Sequence, residues 1–358
     1  MKNFVHLHNH SEFSLLDGFS RVPEMVRRTK ELGQPGLAIT DHGNLHAAID
    51  FYKESKNEGI KPIIGLEGYV ALQKKEERNP SERSPYHITL LAQNKIGYKN
   101  LISLASESHL YGFYYRPRMD RDLLAKYSEG IIVLSGCPSG ELAKKIIEDS
   151  EEEALETIEW YSNVFKDNYY LEIMNHNFVP NQEKINKKLV EFSKKTGIPM
   201  VVTNDSHYVS KDQYEAQDIL TCIQTNSNIN DPKRFHMEDH SYYLKSTEEM
   251  YEEWNHLPEA LENTVNILES VDLNLEFGLN HLPKFPTPKN KSSFEYLKEL
   301  SYKGLRKRYT NPENKLIKRL DYELGIIEET NFADYFLVCW DIFNFVNEKK
   351  ILSAVRGS

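Results

Sequence analysis

The chain is poor in cysteine, has no long apolar run and carries no surplus of positive charge. Its three cysteines, Cys137, Cys222 and Cys339, are too few among 358 residues to form the disulfide framework of a secreted protein. The first residues lack the apolar segment of a signal peptide. No apolar run approaches the roughly 20 residues that span a membrane. We therefore expect a cytoplasmic protein that has no membrane partner.

The charge balance is acidic, because 54 aspartates and glutamates outnumber 44 lysines and arginines and leave a net charge of −10. Nucleic-acid binding normally relies on clustered positive charge, so the net charge alone argues against it. A group of divalent cations, held partly by neutral ligands, can nevertheless make one cleft positive on an acidic surface. The net charge therefore does not exclude a substrate that carries phosphate.

Short apolar, β-branched runs alternate with amphipathic helical stretches over the first 210 residues. This alternation predicts βαβ units and a parallel sheet, and seven such runs favour a β/α barrel over an open sheet. The predicted strands are residues 4–7, 36–40, 62–66, 87–92, 130–135, 169–174 and 199–203, and the predicted helices between them include residues 22–32, 47–58, 95–106, 151–165 and 183–196.

The pattern changes near residue 275. Pro283, Pro286 and Pro288, followed by a polar run, indicate a linker. Beyond them the sequence predicts three successive helices without intervening strands. We therefore predict a first domain at residues 1–275, a linker at 276–292 and a mostly helical second region at 293–358, which we expect to be incomplete.

Three histidines alternate with other residues near the start of the chain, at His6, His8 and His10. Because side chains alternate between the two faces of a strand, these imidazoles share one face. A histidine pair of this kind can bind a metal ion, although a polar strand edge with chance histidines would look the same. The pair alone does not decide between them.

Similar residues recur where the other predicted strands end, which favours the metal site. The carboxyl ends of the strands of a β/α barrel meet on one face, so these side chains should converge. His87 is an exception, since it opens its predicted strand and by barrel geometry alone belongs at the opposite end. The residues at the strand ends are His42, Glu67, Cys137, Asp205 and His207, and Asp17 follows the first strand by a short loop.

This mixture of imidazole, carboxylate and one thiol suits zinc, manganese or iron better than magnesium or calcium. Eight or nine ligands are too many for a single four-coordinate ion, so two or three divalent ions are expected. Such a cluster activates a bridging water and clamps the oxygens of a phosphoryl group. The sequence therefore predicts metal-assisted hydrolysis of a phosphate monoester or diester.

Several longer motifs resemble the polymerase-and-histidinol-phosphatase (PHP) domain, and most of all the form that opens the α subunit of bacterial DNA polymerase III. Two later motifs, LPKFP at residues 282–286 and FADYFLVCWD at 332–341, resemble the start of the palm region of that polymerase. The PHP-like motifs are HNH at 8–10, SLLDG at 14–18, LAITDHGN at 37–44, KPIIGLE at 61–67, GFYYRPR at 112–118 and TNDSHY at 203–208.

The resemblance implies a distorted (β/α)7 barrel that holds up to three metal ions, followed by a mostly helical partial palm region. It admits His87 to the site, assigns catalysis to Asp17, His42, Asp205 and His207, and leaves His6, His109 and His176 outside. It also places Arg116 and Arg118 against a DNA strand. By matching positions, the metal ligands are His8, His10, Asp17, His42, Glu67, His87, Cys137, Asp205 and His207.

The implied function is a 3′–5′ exonuclease, dependent on zinc or manganese, that acts on the primer 3′ end during DNA replication. The implied partners are DNA, the remaining polymerase domains, the sliding clamp and a proofreading subunit. The catalytic aspartates of the polymerase are expected beyond Ser358, so this chain should not polymerise DNA. Two alternatives remain open: a metal-stabilised scaffold without activity, and a stand-alone phosphatase of the histidinol phosphatase kind.

Overall fold

A computed structural model describes residues 2–15, 17–176, 178–237, 239–278 and 281–354. The chain divides into two compact units, Met1–Leu275 and Glu276–Ser358. We call them the barrel unit and the helical unit. The predicted linker and palm assignments stay predictions.

The barrel unit is built on one mixed β-sheet. Strand β2 lies near its centre and is buried along almost its whole length, which explains its nearly continuous apolar sequence. Neighbours pair in the order β4-β5-β2-β3-β6-β7-β8, and β1 pairs with β2 on a separate branch. The strands are β1 (Gly36–Ile39), β2 (Lys61–Val70), β3 (Tyr86–Ala92), β4 (Phe113–Tyr114), β5 (Arg116–Met119), β6 (Ile131–Leu134), β7 (Tyr169–Ile173) and β8 (Met200–Val202).

The extended N-terminal segment, residues 4–10, closes this sheet into a ring. On one side the amide of Ala38 donates to the carbonyl of His6 at 2.9 Å, next to β1. On the other side Ser206, just beyond β8, donates to the carbonyl of His8 at 3.1 Å and accepts from the amide of His10 at 2.8 Å. In the described chain this segment and six strands complete the ring, so the predicted distorted seven-stranded barrel is confirmed.

The sheet is not wholly parallel as predicted, because the two-residue strand β4 is antiparallel to β5 and β3 is reversed as well. Strand β3 is antiparallel to both of its neighbours, β2 and β6. No α-helix separates β2 from β3. The loop that connects them contains one 3-10 turn, Pro80–Arg83. Because β3 is reversed, its first residues lie beside the carboxyl ends of the other strands. His87 therefore stands at the same rim as the other candidate ligands.

Helices cover the outside of the ring. Helix α1, for example, buries Val22, Met25 and Val26 on one face. This spacing follows the 3.6-residue period from which the helix was predicted. The five predicted helices are present, and α3 continues five residues further than expected. No helix in the described ranges is long and apolar enough to cross a membrane. The helices of this unit are α1 (Val22–Glu31), α2 (Ala48–Glu58), α3 (Lys95–Tyr111), α4 (Arg121–Lys126), α5 (Glu141–Ile147), α6 (Glu151–Phe165), α7 (Gln182–Thr196), α8 (Tyr214–Thr225), α9 (Thr247–Trp254) and α10 (Pro258–Ser270).

The helical unit contains three further helices in its described residues, α11 (Ser293–Arg308), α12 (Asn314–Glu329) and α13 (Ala333–Glu348). They pack around a small apolar core that includes Leu297, Leu324 and Leu337. Helix α11 begins with a capping box, in which Ser292 and Glu295 satisfy each other's backbone amides. The predicted mostly helical second region is confirmed.

Arg118 does not take the position expected of a DNA contact. Its side chain is fully buried, and its guanidinium pairs with the buried carboxylate of Glu82 at 3.0 Å. Three further donors bind the carbonyls of Gly112, Lys75 and Glu77. The side chain therefore uses four of its five N–H donors within the fold, which gives Arg118 a structural role, and its DNA contact stays a prediction. Arg116 is exposed.

We predict that Arg118→Ala destabilises the barrel unit by about 3–5 kcal/mol, because the change leaves the buried carboxylate of Glu82 without a partner of opposite charge. The free energy of unfolding from urea titration measures this loss. Arg116→Ala is the matched control: it removes the same side chain two residues earlier, at an exposed position. It should lower the free energy of unfolding by less than about 1 kcal/mol. Equal losses in the two variants would contradict the structural role of Arg118.

Candidate metal centre

The fold brings all nine predicted ligands to one rim of the barrel. The N-terminal segment carries His8 and His10 on one face, as strand alternation requires. Strands β2 and β3 contribute Glu67 and His87 from within their spans. The other five lie in the connections that follow the N-terminal segment, β1, β6 and β8, namely Asp17, His42, Cys137, Asp205 and His207.

Within this rim the ligand atoms form three overlapping groups. In each group the candidate ligand atoms lie within 4.8 Å of one another. His10 belongs to the first and second groups, and Glu67 to the second and third, so the groups are joined into one centre. Three groups agree with the two or three ions that the sequence predicts. The groups are His10–His42–His207, His8–His10–Glu67 and Glu67–His87–Cys137.

Two aspartates extend these groups. Oδ2 of Asp17 lies 3.2 Å from Nε2 of His42. Oδ1 of Asp205 lies 3.4 Å from Nε2 of His8 and 3.1 Å from Nε2 of His10. Asp205 adopts a positive φ of 44°, a strained backbone for a residue with a side chain, which is typical of functional sites.

Among the described residues, the centre contains buried polar atoms that make no hydrogen bond, although some of them lie close to one another. Buried side-chain atoms of this kind are normally hydrogen-bonded, so each exception needs an explanation. Divalent cations would satisfy all of them at once, and the imidazole and carboxylate chemistry fits zinc, manganese or iron. The unpartnered atoms are Nε2 of His8, Oδ1 of Asp17, Nδ1 of His42, Oε2 of Glu67 and Oδ1 of Asp205.

Three histidines are held with Nε2 free for a metal. A carboxylate or carbonyl oxygen can only accept, so Nδ1 of His8 donates to Glu172 at 2.7 Å, and Nδ1 of His207 donates to the carbonyl of Asp205 at 2.8 Å. Nδ1 of His10 donates to the hydroxyl of Ser14 at 2.9 Å. In each ring Nδ1 is the donor, so Nε2 carries the lone pair when the ring is neutral. Burial opposes protonation of His8, but the carboxylates of Asp205 and Glu172 raise its pKa well above the usual range, so a bound cation would have to displace the proton on Nε2.

Burial and neighbouring charge together set the protonation of the acidic ligands. Burial opposes ionisation of Glu67, but His87 and His42 hold the pKa of its carboxyl well below the usual range. Burial likewise opposes ionisation of Asp17, and the charge of His42 outweighs it, so that the pKa of Asp17 falls to about 2. Both side chains are therefore carboxylates near neutral pH, as metal ligands must be.

The pKa shifts of His10 and Cys137 favour their neutral forms instead. Burial, together with the neighbouring His42 and His207, lowers the pKa of His10 to about 3 and keeps it neutral. Burial and the nearby carboxylates of Glu67 and Asp205 raise the pKa of the Cys137 thiol well above its usual range. A thiolate at this position therefore needs a bound cation, which would deprotonate it.

Sequence reasoning missed the residues that hold the ligands in place. Glu172, in the middle of apolar strand β7, is 2% exposed. Besides His8 it accepts from the hydroxyl of Thr203 at 2.7 Å, the hydroxyl of Thr89 at 3.1 Å and the amide of Gly136 at 3.0 Å. A glutamate within an otherwise apolar buried strand is the signal that could have identified it.

Asp41 plays the same part for His10. Its Oδ1 accepts from the hydroxyl of Ser14 at 2.7 Å, so the proton of that hydroxyl is committed and its oxygen must accept from His10. Oδ1 also accepts from the amide of Ser11 at 2.7 Å. Asp41 is next to His42 in the sequence, and its burial would have been needed to recognise this role.

Three histidines that the sequence set aside lie outside the ligand groups. Nε2 of His6 is hydrogen-bonded to the carbonyl of Lys245 at 2.9 Å. His109 bonds to the carbonyl of Gly43, and His176 stacks on Tyr242 with ring centroids 3.9 Å apart. None of the three belongs to a group in the described centre.

Arg116 lies at the edge of the centre. Its guanidinium is 5.6 Å from the ring centroid of Tyr69. The Tyr69 ring in turn stacks beside His42, with centroids 6.2 Å apart. The predicted DNA contact of Arg116 stays a prediction, now with a position close to the ligands.

Comparison with known proteins gives two family matches. Residues 6–176 match the PHP domain family. Residues 295–358 match the family described as the bacterial DNA polymerase III alpha NTPase domain.

Curated relatives match nearly the whole chain. DNA polymerase III subunit alpha of Borreliella burgdorferi is 44% identical over 99% of this chain, and that of Treponema pallidum is 41% identical over 99%. In both cases the chain spans 31% of the relative's length. The subunit of Thermus aquaticus is 40% identical over 86% of this chain and 26% of its own length.

Among solved structures, one match is a two-domain protein from Bacteroides vulgatus that contains a predicted PHP-like metal-dependent phosphoesterase. It has a TM-score of 0.37 and 13% identity, over 75% of this chain and 69% of that one. A likeness this remote does not bear on function.

We predict that the purified chain binds two or three divalent ions and that Glu67→Gln loses most of them, because Glu67 joins two of the ligand groups. Metal content by mass spectrometry checks this, together with the melting temperature before and after chelation, which should fall for the wild type. Glu12→Gln makes the same change at an exposed position and should bind as the wild type does. Full metal content in Glu67→Gln would contradict the arrangement.

Glu172→Gln should weaken metal affinity by about 10–100-fold without removing a ligand, because His8 loses the carboxylate that orients it. Competition with a chromogenic chelator measures the affinity. Glu183→Gln, on the outer helix α7, is the matched control. An unchanged affinity in Glu172→Gln would mean that packing alone orients His8.

Proposed function

Because residues 6–176 match the PHP domain family, in a chain that aligns over 99% of its length with a DNA polymerase III α subunit, we propose that this rim is a metal-dependent phosphodiesterase. Its proposed substrate is the 3′ end of a DNA strand, from which it removes nucleotides. The single observation that carries the proposal is the set of three ligand groups that share His10 and Glu67.

The exposure of the ligands supports a reactive rather than a sealed site. Glu67, His8 and His10 are almost completely buried. By contrast, the side chains of His42 and His87 are 18% and 23% exposed, and those of Asp17 and Asp205 are both 14% exposed. The buried ligands would anchor ions, and the partly exposed ones would face a substrate.

The proposed catalytic residues are Asp17, His42, Asp205 and His207. Divalent ions bound here would activate a water and stabilise charge on the phosphoryl oxygens. The chain itself sets the geometry: Gln224 donates to Oδ2 of Asp17 at 3.1 Å and holds that carboxylate towards His42. The guanidinium of Arg116, 5.6 Å from the ring centroid of Tyr69 at the edge of the centre, would bind the next phosphate of the strand.

The proposed setting is a bacterial replicative polymerase. Its partners would be the primer end of DNA, the remaining polymerase domains, the sliding clamp and a proofreading subunit. The ions would be zinc or manganese, with iron also compatible with the ligand set. The match to polymerase α subunits along the whole chain favours this setting over a stand-alone histidinol phosphatase.

We expect the chain, supplied with manganese or zinc, to shorten a primer with a 3′ mismatch one nucleotide at a time. His8→Ala should lower the rate by about 100-fold or more, since an orienting contact alone is worth about 10–100-fold. Gel analysis of end-labelled primer measures the rate. His281→Ala, which alters an exposed histidine in the other unit, should retain the wild-type rate.

Other results of the same assay discriminate between the alternatives. Bound metal without hydrolysis of any phosphate ester would replace the proposal with a metal-stabilised scaffold. Hydrolysis of phosphomonoesters alone would indicate a phosphatase. Shortening that persists in His8→Ala would point to a contaminating nuclease.

A further inference from the structure

A cavity of about 440 Å³ opens between the loop that follows His42 and helix α3. Its volume lies within the range of about 300–1,000 Å³ that is typical of small-molecule sites. Residues 43–46 form one wall, and Ile102, Ala105, His109 and Leu110 line the other. We call this cavity the α3 cleft. None of these residues belongs to the metal-ligand groups.

Backbone contacts hold the α3 cleft against the metal centre. Gly43 directly follows the ligand His42, and its amide donates to the carbonyl of Glu67 at 2.8 Å. Nε2 of His109 donates to the carbonyl of Gly43 at 3.0 Å. Gly43 has a φ of +61°, and a Cβ there would lie 2.7 Å from Pro117. This position therefore requires glycine, and one short peptide joins the ligand to the cleft wall.

The helix wall of the cleft carries apolar side chains that are not buried in the hydrophobic core. Helix α3 packs on the barrel through residues such as Leu101 and Leu104. Ile102 and Leu110 face outward instead and are 42% and 71% exposed. A single exposed apolar residue is ordinary, but two on one cavity wall indicate a surface that something covers.

The edges of the cleft are aromatic and polar. His46 lies on the loop wall and His109 on the helix wall. The His109 ring stacks beside Phe113, with centroids 6.2 Å apart and an interplanar angle of 26°. Because Nε2 of His109 carries the proton that binds Gly43, Nδ1 of the neutral ring is an acceptor. The cleft thus combines aliphatic walls with flat rings and hydrogen-bonding edges.

We propose that the α3 cleft binds the base of the nucleotide whose phosphate is held at the metal centre. This inference rests on the proposed function and adds a base subsite to it. A nucleobase has apolar faces and polar edges, which match the walls and the rim of the cleft. It is also tethered to its own phosphate, as the cleft is joined to the centre through Gly43. Stacking of this kind tolerates any base.

The test compares two ligands that share deoxyribose and a 5-phosphate, one with a base and one with a hydroxyl in its place. Binding of thymidine 5′-monophosphate and of deoxyribose 5-phosphate to the manganese-loaded full chain is measured by titration calorimetry. In the wild type we expect the base to strengthen binding by about 10-fold, the scale of one stacked base. Ile102→Ser combined with Leu110→Ser should bring the ratio of the two affinities to within about twofold. Ile96→Ser, at an exposed position of α3 outside the cleft, should keep the wild-type ratio.

Equal affinities in the wild type, or a ratio that the double variant leaves unchanged, would overturn the proposal. Undetectable binding of thymidine 5′-monophosphate would also overturn it. The measurement needs no hydrolysis, so its outcome is independent of the primer-shortening assay. A base-dependent affinity in a chain that shortens no primer would retain the cleft and reject the nuclease.

Discussion

A carboxylate buried at the centre of the barrel imposes the main constraint on this structure. Glu67 is 1% exposed, and its oxygens lie 2.6 Å from Nδ1 of His42, 2.8 Å from Nδ1 of His87 and 3.5 Å from the sulfur of Cys137. A buried charge is tolerated only when other charges or ligands compensate it. The surrounding histidines provide part of that compensation, and bound cations would provide the rest, so metal binding would be coupled to the folding of this rim.

The same constraint explains the distortion of the barrel. Glu67 needs a partner from the adjacent strand, and in a parallel strand the residue at that level would come from the strand's carboxyl end. Reversal of β3 instead pairs Tyr69 with His87 and Glu67 with Thr89, so that the start of β3 serves the centre. Thr89 then also bonds to Glu172, which orients His8. The reversed strand β3 therefore supplies the ligand His87 and also Thr89, which helps Glu172 to orient His8.

The centre consists of two layers of side chains, an inner layer of candidate ligands and an outer layer that orients them. The inner layer presents nitrogen and oxygen atoms, several of which make no hydrogen bond within the described residues. The outer layer, formed by residues such as Glu172, Ser14 and Asp41, is fully hydrogen-bonded and sets ring tautomers and orientations. Because the outer layer is buried and hydrogen-bonded, it can hold the ligands of the inner layer in place despite the repulsion between neighbouring imidazoles. The proposed base subsite attaches to this arrangement through Gly43.

The sequence by itself determined the barrel class and most of the helices, because strand and helix periods are local properties. It suggested candidate ligands at the strand ends, and the set of nine came from the resemblance of its motifs. His87 shows the limit of such reasoning: its place was known from resemblance alone, since strand direction depends on pairing between distant segments. Arg118 shows the same limit, as motif position suggested DNA while burial against Glu82 assigned it to the fold. Glu172 and the α3 cleft emerged only from the tertiary structure, because hydrogen bonds and cavities form between elements that are far apart in the chain.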